Sequence, residues 1–584
     1  MSSQEKYKDP ELLAPVVSPG GHYSQSYQNF VVEGDLKYIA EQGGNVTQET
    51  YQEVHGAPVE RQNPLGYHVG WFSASFLNIT MLIGTGIFST PATIFADTGS
   101  VGLALLYWPI GLLISLAGIS VYLEFLSYFP SRSGAEVVYL EQAYSRPKYF
   151  WPIAFAFQTV ILSFSSSNLI LIATYIFRMA DHTPKSWESK GVAIAVGVVV
   201  SILPIVSTKW SLKVSNVLGV VKLLTLLLIT LAGFVVLGGH TKVTPQKANF
   251  EHAFEGTSSN GYTLSNGIVN IIFSYGGYTN SFNLANEIKN PVRTIKRTAN
   301  GAVILVAILY MTTNIAYFSV LTKEELKSSS QTTATVFFQK LWGAKAARGL
   351  TILPILSALS NCLNVIVGHS RMVREVGRQG ILPYTKFWVS SWPFGTPVGA
   401  TVSVWVVAVL VIIIVPAGKA FNFIVALQSY PSQFYLGIMT IGLFIVRRQR
   451  KQLNLPRPEY RSWTVAVLFF LASTIFLLVM PWVPPPGGIN NSSFGFFYGT
   501  SSIVGLSFIV LCGLYYVLWA KLLPKWGGYQ LRQTVITLDD GTVSNFLAKI
   551  KNEDLEAWDA KHDLSGRSVD IEWRDVEEKE TTSA

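Results

Sequence analysis

Apolar segments long enough to cross a bilayer recur along most of the chain. A hydrocarbon core about 30 Å thick needs roughly 20 predominantly apolar residues per helix. Such segments occur at about 69–96, 101–128, 151–178, 191–208, 214–237, 263–286, 298–321, 349–371, 398–416, 421–446, 463–482 and 497–520. The pattern predicts an all-α integral membrane protein with about twelve transmembrane helices, within a domain at 66–525.

Composition supports this interpretation. Of the 584 residues, 14% are charged, whereas soluble domains carry about 25%, and the mean hydropathy is +0.34. A soluble protein with several cores would need long polar linkers, and none interrupts the predicted membrane domain. Two polar tails remain, a largely disordered N-terminal tail at 1–65 and a C-terminal tail at 526–584.

The positive charges between the spans predict the orientation of the chain. Short cytoplasmic loops retain Lys and Arg, and such residues cluster in alternate loops, for example between 289 and 297 and between 447 and 461. This distribution places both termini in the cytoplasm. The basic residues do not form one stripe with interleaved aromatic residues, so a nucleic-acid partner is not expected.

Glycines interrupt the first and the sixth span. Gly84 and Gly86 flank Thr85 in the first, and Gly276 and Gly277 are adjacent in the sixth. We expect both helices to break near the bilayer midplane, where unwound backbone is tolerated only if it faces protein or a cavity. Half-helix N-termini favour a carboxylate and unwound carbonyls favour an ammonium or cation, so the breaks suit a zwitterion. Close packing of helices is the alternative role for these glycines.

The breaks also occupy corresponding positions in two five-helix halves, if each half begins with a broken helix. Inverted-repeat transporters have this arrangement. The pairing therefore favours a midplane binding site over glycines that serve packing alone.

A charged residue stands within the otherwise apolar fifth span. Lys222 lies in VSNVLGVVKLLTLLLITLAGF, and a charge at a helix centre costs about 2.5–3.5 kcal/mol on insertion scales. One interpretation is a lysine whose long side chain reaches the cytoplasmic headgroups. The other is an ammonium that points at the broken first helix, replaces a bound cation there, and takes and releases a proton during the cycle.

The other motifs give weaker or negative indications. Glu124 and Glu287 lie at the ends of the second and sixth spans, where structural ion pairs with inner-loop arginines are favoured over proton transfer. The sequence has no phosphate-binding loop, no H-E-x-x-H and no Cys/His spacing typical of metal sites. We therefore expect no enzyme activity, no metal and no cofactor.

Several motifs resemble those of the amino acid, polyamine and organocation transporter superfamily. They are IGTGIF at 83–88, YLEFLSYFPSRSGAEVVYLEQAY at 122–144, SYGGY at 274–278, NEIKNPVRTIKR at 286–297 and SRMVREVGRQGILP at 370–383. Within that superfamily the chain is most similar to fungal high-affinity methionine permeases. The motifs that carry this similarity are FEGT at 254–257, NPVRT at 290–294, SYP at 429–431 and YYVLWAKLLPKWGGY at 515–529.

The resemblance implies a fold of two inverted five-helix repeats with broken helices 1 and 6, plus two extra helices. It implies proton symport of methionine and related neutral amino acids such as cysteine, by alternating access around a midplane site. Lys222 would be the proton-coupling residue, and the stretch at 163–169 and the region around Asn361 would form the side-chain pocket. The substrate-binding residues it implies are Ile83, Gly84, Thr85, Gly86, Phe273, Ser274, Tyr275, Gly276 and Gly277.

Two other functions remain open from the sequence, a broad neutral amino acid exchanger and a non-transporting amino acid sensor of the same fold. For a permease we expect the plasma membrane as its location. We also expect ubiquitin-ligase adaptors to act on the N-terminal tail, where Lys6, Lys8 and Lys37 could accept ubiquitin.

Overall fold

The structure is a computed structural model that carries side chains. It describes residues 56–58, 65–67, 69–130, 132–144, 146–151, 153–155, 158, 166–329, 332–414, 420–452, 455, 457–485, 488 and 497–562, with backbone alone at 420–426 and 428. The three tail lysines proposed as ubiquitin acceptors lie outside the described residues.

A helix stands at each of the twelve predicted spans. Their bounds are α1a Trp71–Leu82 with α1b Gly86–Ser89 continuing as Pro91–Thr98, α2 Val101–Tyr128, α3 described over Ser166–Met179, α4 Ser186–Val206, α5 Thr208–Leu237, α6a Gly261–Ser274 with α6b Asn280–Asn283, α7 Pro291–Val320, α8 Ile352–Arg378, α9 Val398–Ile414, α10 Ala420–Gln452, α11 Thr464–Val479 and α12 Thr500–Tyr516. Among the described residues, nine helices are long and apolar enough to cross a membrane, and α9 is apolar but shorter. The predicted all-α membrane fold is confirmed.

Shorter elements connect or extend these helices. They are the helices Glu136–Ala143, Ala248–Glu251, Lys323–Ser329, Thr333–Leu350, Thr385–Val389, Leu523–Gly527 and Leu555–Asp559, the 3₁₀ turns Ala285–Glu287 and Met480–Trp482, and a π-helical stretch Val517–Leu522 that prolongs α12.

Both predicted helix breaks are present. The first separates α1a from α1b at residues 83–85, where Ile83 has ψ of 70° and leaves the helical region. The second separates α6a from α6b, and here Gly277 has φ of +109°. A side chain is strained in that conformation, so glycine is the residue that permits the turn.

The helix α8 extends beyond the predicted eighth span, which ends at about residue 371. Arg371, Arg374 and Arg378 continue α8 as helix instead of forming an inner loop, and Arg371 is only 1% exposed. Its Nε donates to Glu287 Oε1 at 2.9 Å. A buried arginine is tolerated here because a carboxylate neutralises it.

The predicted ion pairs of the two span-end carboxylates with arginines are present. Glu287 pairs with Arg371, as described above, and Glu124 accepts hydrogen bonds from Arg447 Nε and Nη2, each at 2.7 Å. Glu124 also accepts from the backbone N–H of Ser462 at 2.7 Å. Both carboxylates are therefore occupied by structural ion pairs.

The C-terminal tail contains a β-hairpin that the sequence analysis does not predict. Strand β1, Tyr529–Thr537, pairs antiparallel with β2, Val543–Lys551. The hairpin docks on the end of α8, where Arg378 Nε donates to Val543 O at 2.9 Å and Asn545 Nδ2 donates to Gly56 O at 2.6 Å. The side of the molecule that carries β1, β2 and the helix Glu136–Ala143 is called the hairpin side below.

Candidate functional site at the helix breaks

A cavity of about 180 Å³ lies between the two breaks. Its walls come from α1, α3, α6 and α8. The lining residues are Met81, Leu82, Gly84, Thr85, Gly86, Ser167, Asn168, Phe273, Gly276, Asn361, Val365 and His369. The structure thus brings together backbone from both broken helices and polar side chains from two others.

The predicted substrate-binding residues divide into two groups. Gly84, Thr85, Gly86, Phe273 and Gly276 line this cavity. The remaining four, which include Gly277 in the wall of an adjoining cavity, lie outside it.

The other three of these residues direct their side chains elsewhere. Ile83 is buried in the protein core. The Ser274 and Thr90 hydroxyls hydrogen-bond to each other at 2.9 Å, and the Tyr275 ring packs against Trp108 of α2 at a centroid distance of 6.1 Å. The structure therefore gives the side chains of Ile83, Ser274 and Tyr275 packing contacts, whereas the predicted site treats them as part of the binding surface.

Residues from both stretches that are expected to form the side-chain pocket line this cavity. Ser167 and Asn168, from the stretch at 163–169, and Asn361 all face the cavity. Thr85 Oγ1 donates to Asn168 Oδ1 at 3.0 Å, which connects the break in α1 to α3. Residues 163–165 lie outside the described residues.

Four lining residues were missed by the sequence analysis, namely Met81, Leu82, Val365 and His369. Asn361, Val365 and His369 are spaced four residues apart on α8, so they share one helical face. That spacing was a signal in the sequence, and Asn361 was its first member. No comparable signal in the sequence marked Met81, because its place in the cavity wall depends on the residue at which α1a ends.

Side chains satisfy the carbonyls that the break in α1 leaves without helical partners. Asn361 Nδ2 donates to Met81 O at 3.2 Å. Ser357 Oγ lies 3.2 Å from Ile83 O and 3.0 Å from Gly84 O. Within a membrane each unsatisfied carbonyl would cost several kcal/mol, so these donors on α8 make the unwound segment tolerable.

Lys222 contributes to the same set of contacts. Its Nζ donates to Thr80 O at 2.6 Å, and the residue is 1% exposed. The interpretation in which Lys222 reaches the headgroups is therefore wrong, and its amino group contacts the broken first helix. Gly219, one turn earlier, permits this approach, since a Cβ there would lie 2.5 Å from Thr80 Cγ2.

The start of α1b lies at the cavity, where Thr85 and Gly86 are lining residues. The first residues of a helix have N–H groups without intrahelical partners, and here these belong to Thr85, Gly86 and Ile87. A Cβ on Gly84 would collide with Asn361 Nδ2, so this position has no room for a side chain. The N–H groups at the start of α1b could donate to a carboxylate, and the unwound carbonyls nearby could accept from an ammonium.

Tyr310 of α7 joins the two breaks. Its hydroxyl contacts Leu82 O of α1 and lies 2.9 Å from Ser274 O of α6. The hydroxyl has one proton to share between these carbonyls, and both belong to helix ends.

We predict that Tyr310→Phe destabilises the protein by about 1–3 kcal/mol, because the buried Ser274 carbonyl loses the Tyr310 hydroxyl as donor, whereas Leu82 O still accepts from the Gly84 N–H at 2.8 Å. The thermal midpoint of the purified protein in detergent measures this effect. Tyr107→Phe is the matched control, since Tyr107 Oη donates to Leu264 O at 3.1 Å and that carbonyl lies inside α6a, where it keeps its helical bond. An equal fall in the midpoint for both variants would contradict the prediction.

Comparison with known proteins is consistent with this architecture. Residues 69–520 match the amino acid permease family. A high-affinity methionine permease of Saccharomyces cerevisiae is 33% identical over 497 residues, covering 85% of this chain and 86% of that protein. A low-affinity methionine permease of the same yeast is 29% identical over 547 residues, covering 91% and 98%. The b(0,+)-type amino acid transporter 1 of Mus musculus is 26% identical over 472 residues, covering 78% and 90%.

These relatives are transporters, not enzymes, and their similarity extends across the membrane domain that holds the cavity. The broken helices, the apolar spans and the family match agree. The chain belongs to the amino acid permease family and is an integral membrane protein that transports amino acids.

Proposed function

We propose that the protein imports methionine, and related neutral amino acids such as cysteine, by proton symport across the plasma membrane. The single observation that carries the proposal is the Lys222 ammonium, bonded to Thr80 O at the break of α1. It connects a titratable group to the helix whose break forms the cavity.

The chemistry of the cavity supports an amino acid as the substrate. The N–H groups at the start of α1b suit the carboxylate, and carbonyls at the end of α6a suit the ammonium. Met81, Phe273 and Val365 add apolar wall, which suits an uncharged side chain. Two relatives are named methionine permeases, and this supports methionine among the neutral amino acids.

The contact between Lys222 and Thr80 supports the proton as coupling ion. Thr80 also receives a hydrogen bond on its Oγ1 from Asn364 of α8, and Asn364 Oδ1 accepts from Ser215 of α5 at 2.8 Å. Loss of the proton from Lys222 would leave a neutral amine, which is a weaker donor toward Thr80 O than an ammonium. Such a change would weaken the attachment of α1a to α5, and a moving α1a could open or close the cavity.

The packing around the cavity supports an arrangement open toward the hairpin side. On the opposite side, α1b and α6a touch, since a Cβ on Gly86 would lie 2.8 Å from Ser274 Cα. On the hairpin side, the cavity adjoins a second one that shares Met81, Gly276 and His369 in its walls. The positive loops predict that the hairpin side is cytoplasmic, with both termini there.

Uptake of labelled methionine tests the proposal. Fungal cells that lack their own methionine permeases would express this chain, and we expect them to concentrate methionine above the external level. A protonophore should abolish the accumulation, and unlabelled methionine and cysteine should compete for entry. A fluorescent fusion would report the location at the cell surface.

The alternatives give different results in the same assay. Entry that requires internal amino acid and ignores the protonophore would indicate an exchanger. Binding of methionine by the purified protein, without uptake by cells, would indicate a sensor. Either result would overturn proton symport.

A further inference from the structure

A second cavity, of about 320 Å³, lies on the hairpin side of the breaks. It is called the vestibule here. Its walls include Met81 of α1a, Tyr122 of α2, Met372 of α8 and Glu136 of the helix Glu136–Ala143. Gln158, which precedes the described part of α3, is also in its walls. The vestibule shares wall residues with the central cavity, as described above. A substrate that leaves the central cavity toward the hairpin side therefore enters it.

The vestibule contains several buried acceptor oxygens without partners. Glu136 Oε2, Gln158 Oε1 and Asn283 Oδ1 are buried and accept no hydrogen bond within the described residues, and all three residues are in its walls. Gln158 is 8% exposed and Asn283 is 3% exposed. Buried polar atoms are normally hydrogen-bonded, so three acceptors in one cavity indicate a ligand that brings several N–H donors.

Glu136 differs from three other buried carboxylates on this side, whereas Glu141 of the same helix also has a buried oxygen without a hydrogen-bond partner among the described residues. Glu124, Glu287 and Glu375 each pair with an arginine, at N–O distances of 2.7, 2.9 and 2.7 Å. Glu136 Oε1 accepts from the Tyr122 hydroxyl, and no Lys or Arg of the described residues forms an ion pair with Glu136. An ionised Glu136 would therefore have no counterion within the part of the chain that the structure describes.

The environment of Glu136 also favours a cationic ligand. Burial raises the pKa of the Glu136 carboxyl, and the hydrogen bond from Tyr122 opposes that shift. A cation beside the carboxyl would favour its ionised form. An ammonium carries one positive charge, which matches the Glu136 carboxylate, and three N–H donors, which match the three acceptor oxygens.

We propose that the vestibule is a second substrate site, which an amino acid occupies after it leaves the helix breaks. In this site, the Glu136 carboxylate accepts hydrogen bonds from the ammonium group of the amino acid. Gln158 and Asn283 supply further acceptors, and Met81 and Met372 contact the apolar side chain. The inference rests on the proposed transport function. It adds a step on the path of release.

Equilibrium binding of two probes to the purified full-length protein in nanodiscs tests the site. The probes are L-methionine and 3-(methylthio)propylamine, which keeps the ammonium and the thioether but lacks the carboxylate. The amine lacks the group that suits the α1b N-terminus, so we expect it to bind in the vestibule. Glu136→Gln should weaken amine binding about 10- to 100-fold, the range for loss of a charged hydrogen bond.

Matched variants separate charge from structure. Glu136→Gln keeps an acceptor for the Tyr122 hydroxyl and removes the charge, whereas Tyr122→Phe removes the hydroxyl and keeps the charge. We expect Tyr122→Phe to retain most amine binding and Glu136→Asp to retain part of it. Gly84→Leu should abolish methionine binding at the breaks and leave amine binding intact.

Three results would overturn the vestibule site. These are absent amine binding, amine binding unchanged by Glu136→Gln, and displacement of the amine by Na⁺ or K⁺ at equal concentration. All three can occur while methionine uptake is normal, whereas failure of the proposed function appears as absent uptake. The two failures are therefore distinguishable.

Discussion

Replacing Lys222 with alanine should abolish concentrative uptake. The variant removes the group that we propose to carry the proton, and it also removes the donor to Thr80 O. Binding or exchange of substrate without pH dependence can persist. Initial rates and steady-state accumulation of labelled methionine, measured with and without a protonophore, separate these activities.

The expected loss is large because coupling supplies all the energy for accumulation. A proton that enters down a potential of about 100 mV releases about 2.3 kcal/mol, and each unit of pH difference adds about 1.4 kcal/mol. The potential alone supports roughly 50-fold accumulation of a net-neutral amino acid. An uncoupled carrier brings such a substrate only to equal concentrations on both sides.

Lys222→Arg should also fail, for a different reason. Arginine keeps its charge near neutral pH and cannot release the proton, so the cycle should stop. Lys213→Ala is the matched control on the same helix, because Lys213 is exposed and its Nζ lies 4.5 Å from the centroid of the Trp210 ring. Accumulation by Lys222→Ala at the wild-type level, still sensitive to protonophore, would show that another group carries the proton.

Gly276→Leu and Gly84→Leu should each abolish uptake while the protein remains folded and in the membrane. At Gly276, the atoms nearest to an added Cβ are backbone atoms of Phe273 and Ile272, so a longer side chain extends into the cavity. At Gly84, an added Cβ displaces Asn361, which also donates to Met81 O. Both variants fill space that the substrate backbone needs.

Gly301→Leu provides the control for these substitutions. Gly301 is an exposed residue of α7, and an added Cβ meets no atom within 4 Å. Uptake and surface level are measured for all three variants, and we expect Gly301→Leu to match the wild type in both. Normal uptake by correctly located Gly276→Leu protein would exclude the broken-helix site.

The sequence predicted the spans and the helix breaks because both depend on local composition. An apolar run of about 20 residues has few alternatives to a membrane helix, and adjacent glycines weaken a helix wherever it is placed. The ends of α8 were less predictable. Arg371 and Arg374 have the composition of a loop, and only their partners across the fold, such as Glu287 for Arg371, allow them to continue a buried helix.

The C-terminal hairpin shows the same limit. The strands at 529–537 and 543–551 are polar enough to suggest a solvated tail, and their order depends on contacts with residues far away in the chain. Arg378 and Gly56 supply such contacts. A local pattern contains no information about these partners.

The sequence by itself determined the membrane class, the number of helices, the positions of the two breaks and the presence of one lysine in an apolar span. These features follow from hydrophobicity and backbone preference, which act over a few turns. Only the tertiary structure decided which donors satisfy the unwound carbonyls, that Lys222 contacts Thr80, and that Glu136 faces a cavity with no Lys or Arg of the described residues paired to it. Those facts depend on distances between helices that are remote in sequence, and such distances arise when the whole bundle packs.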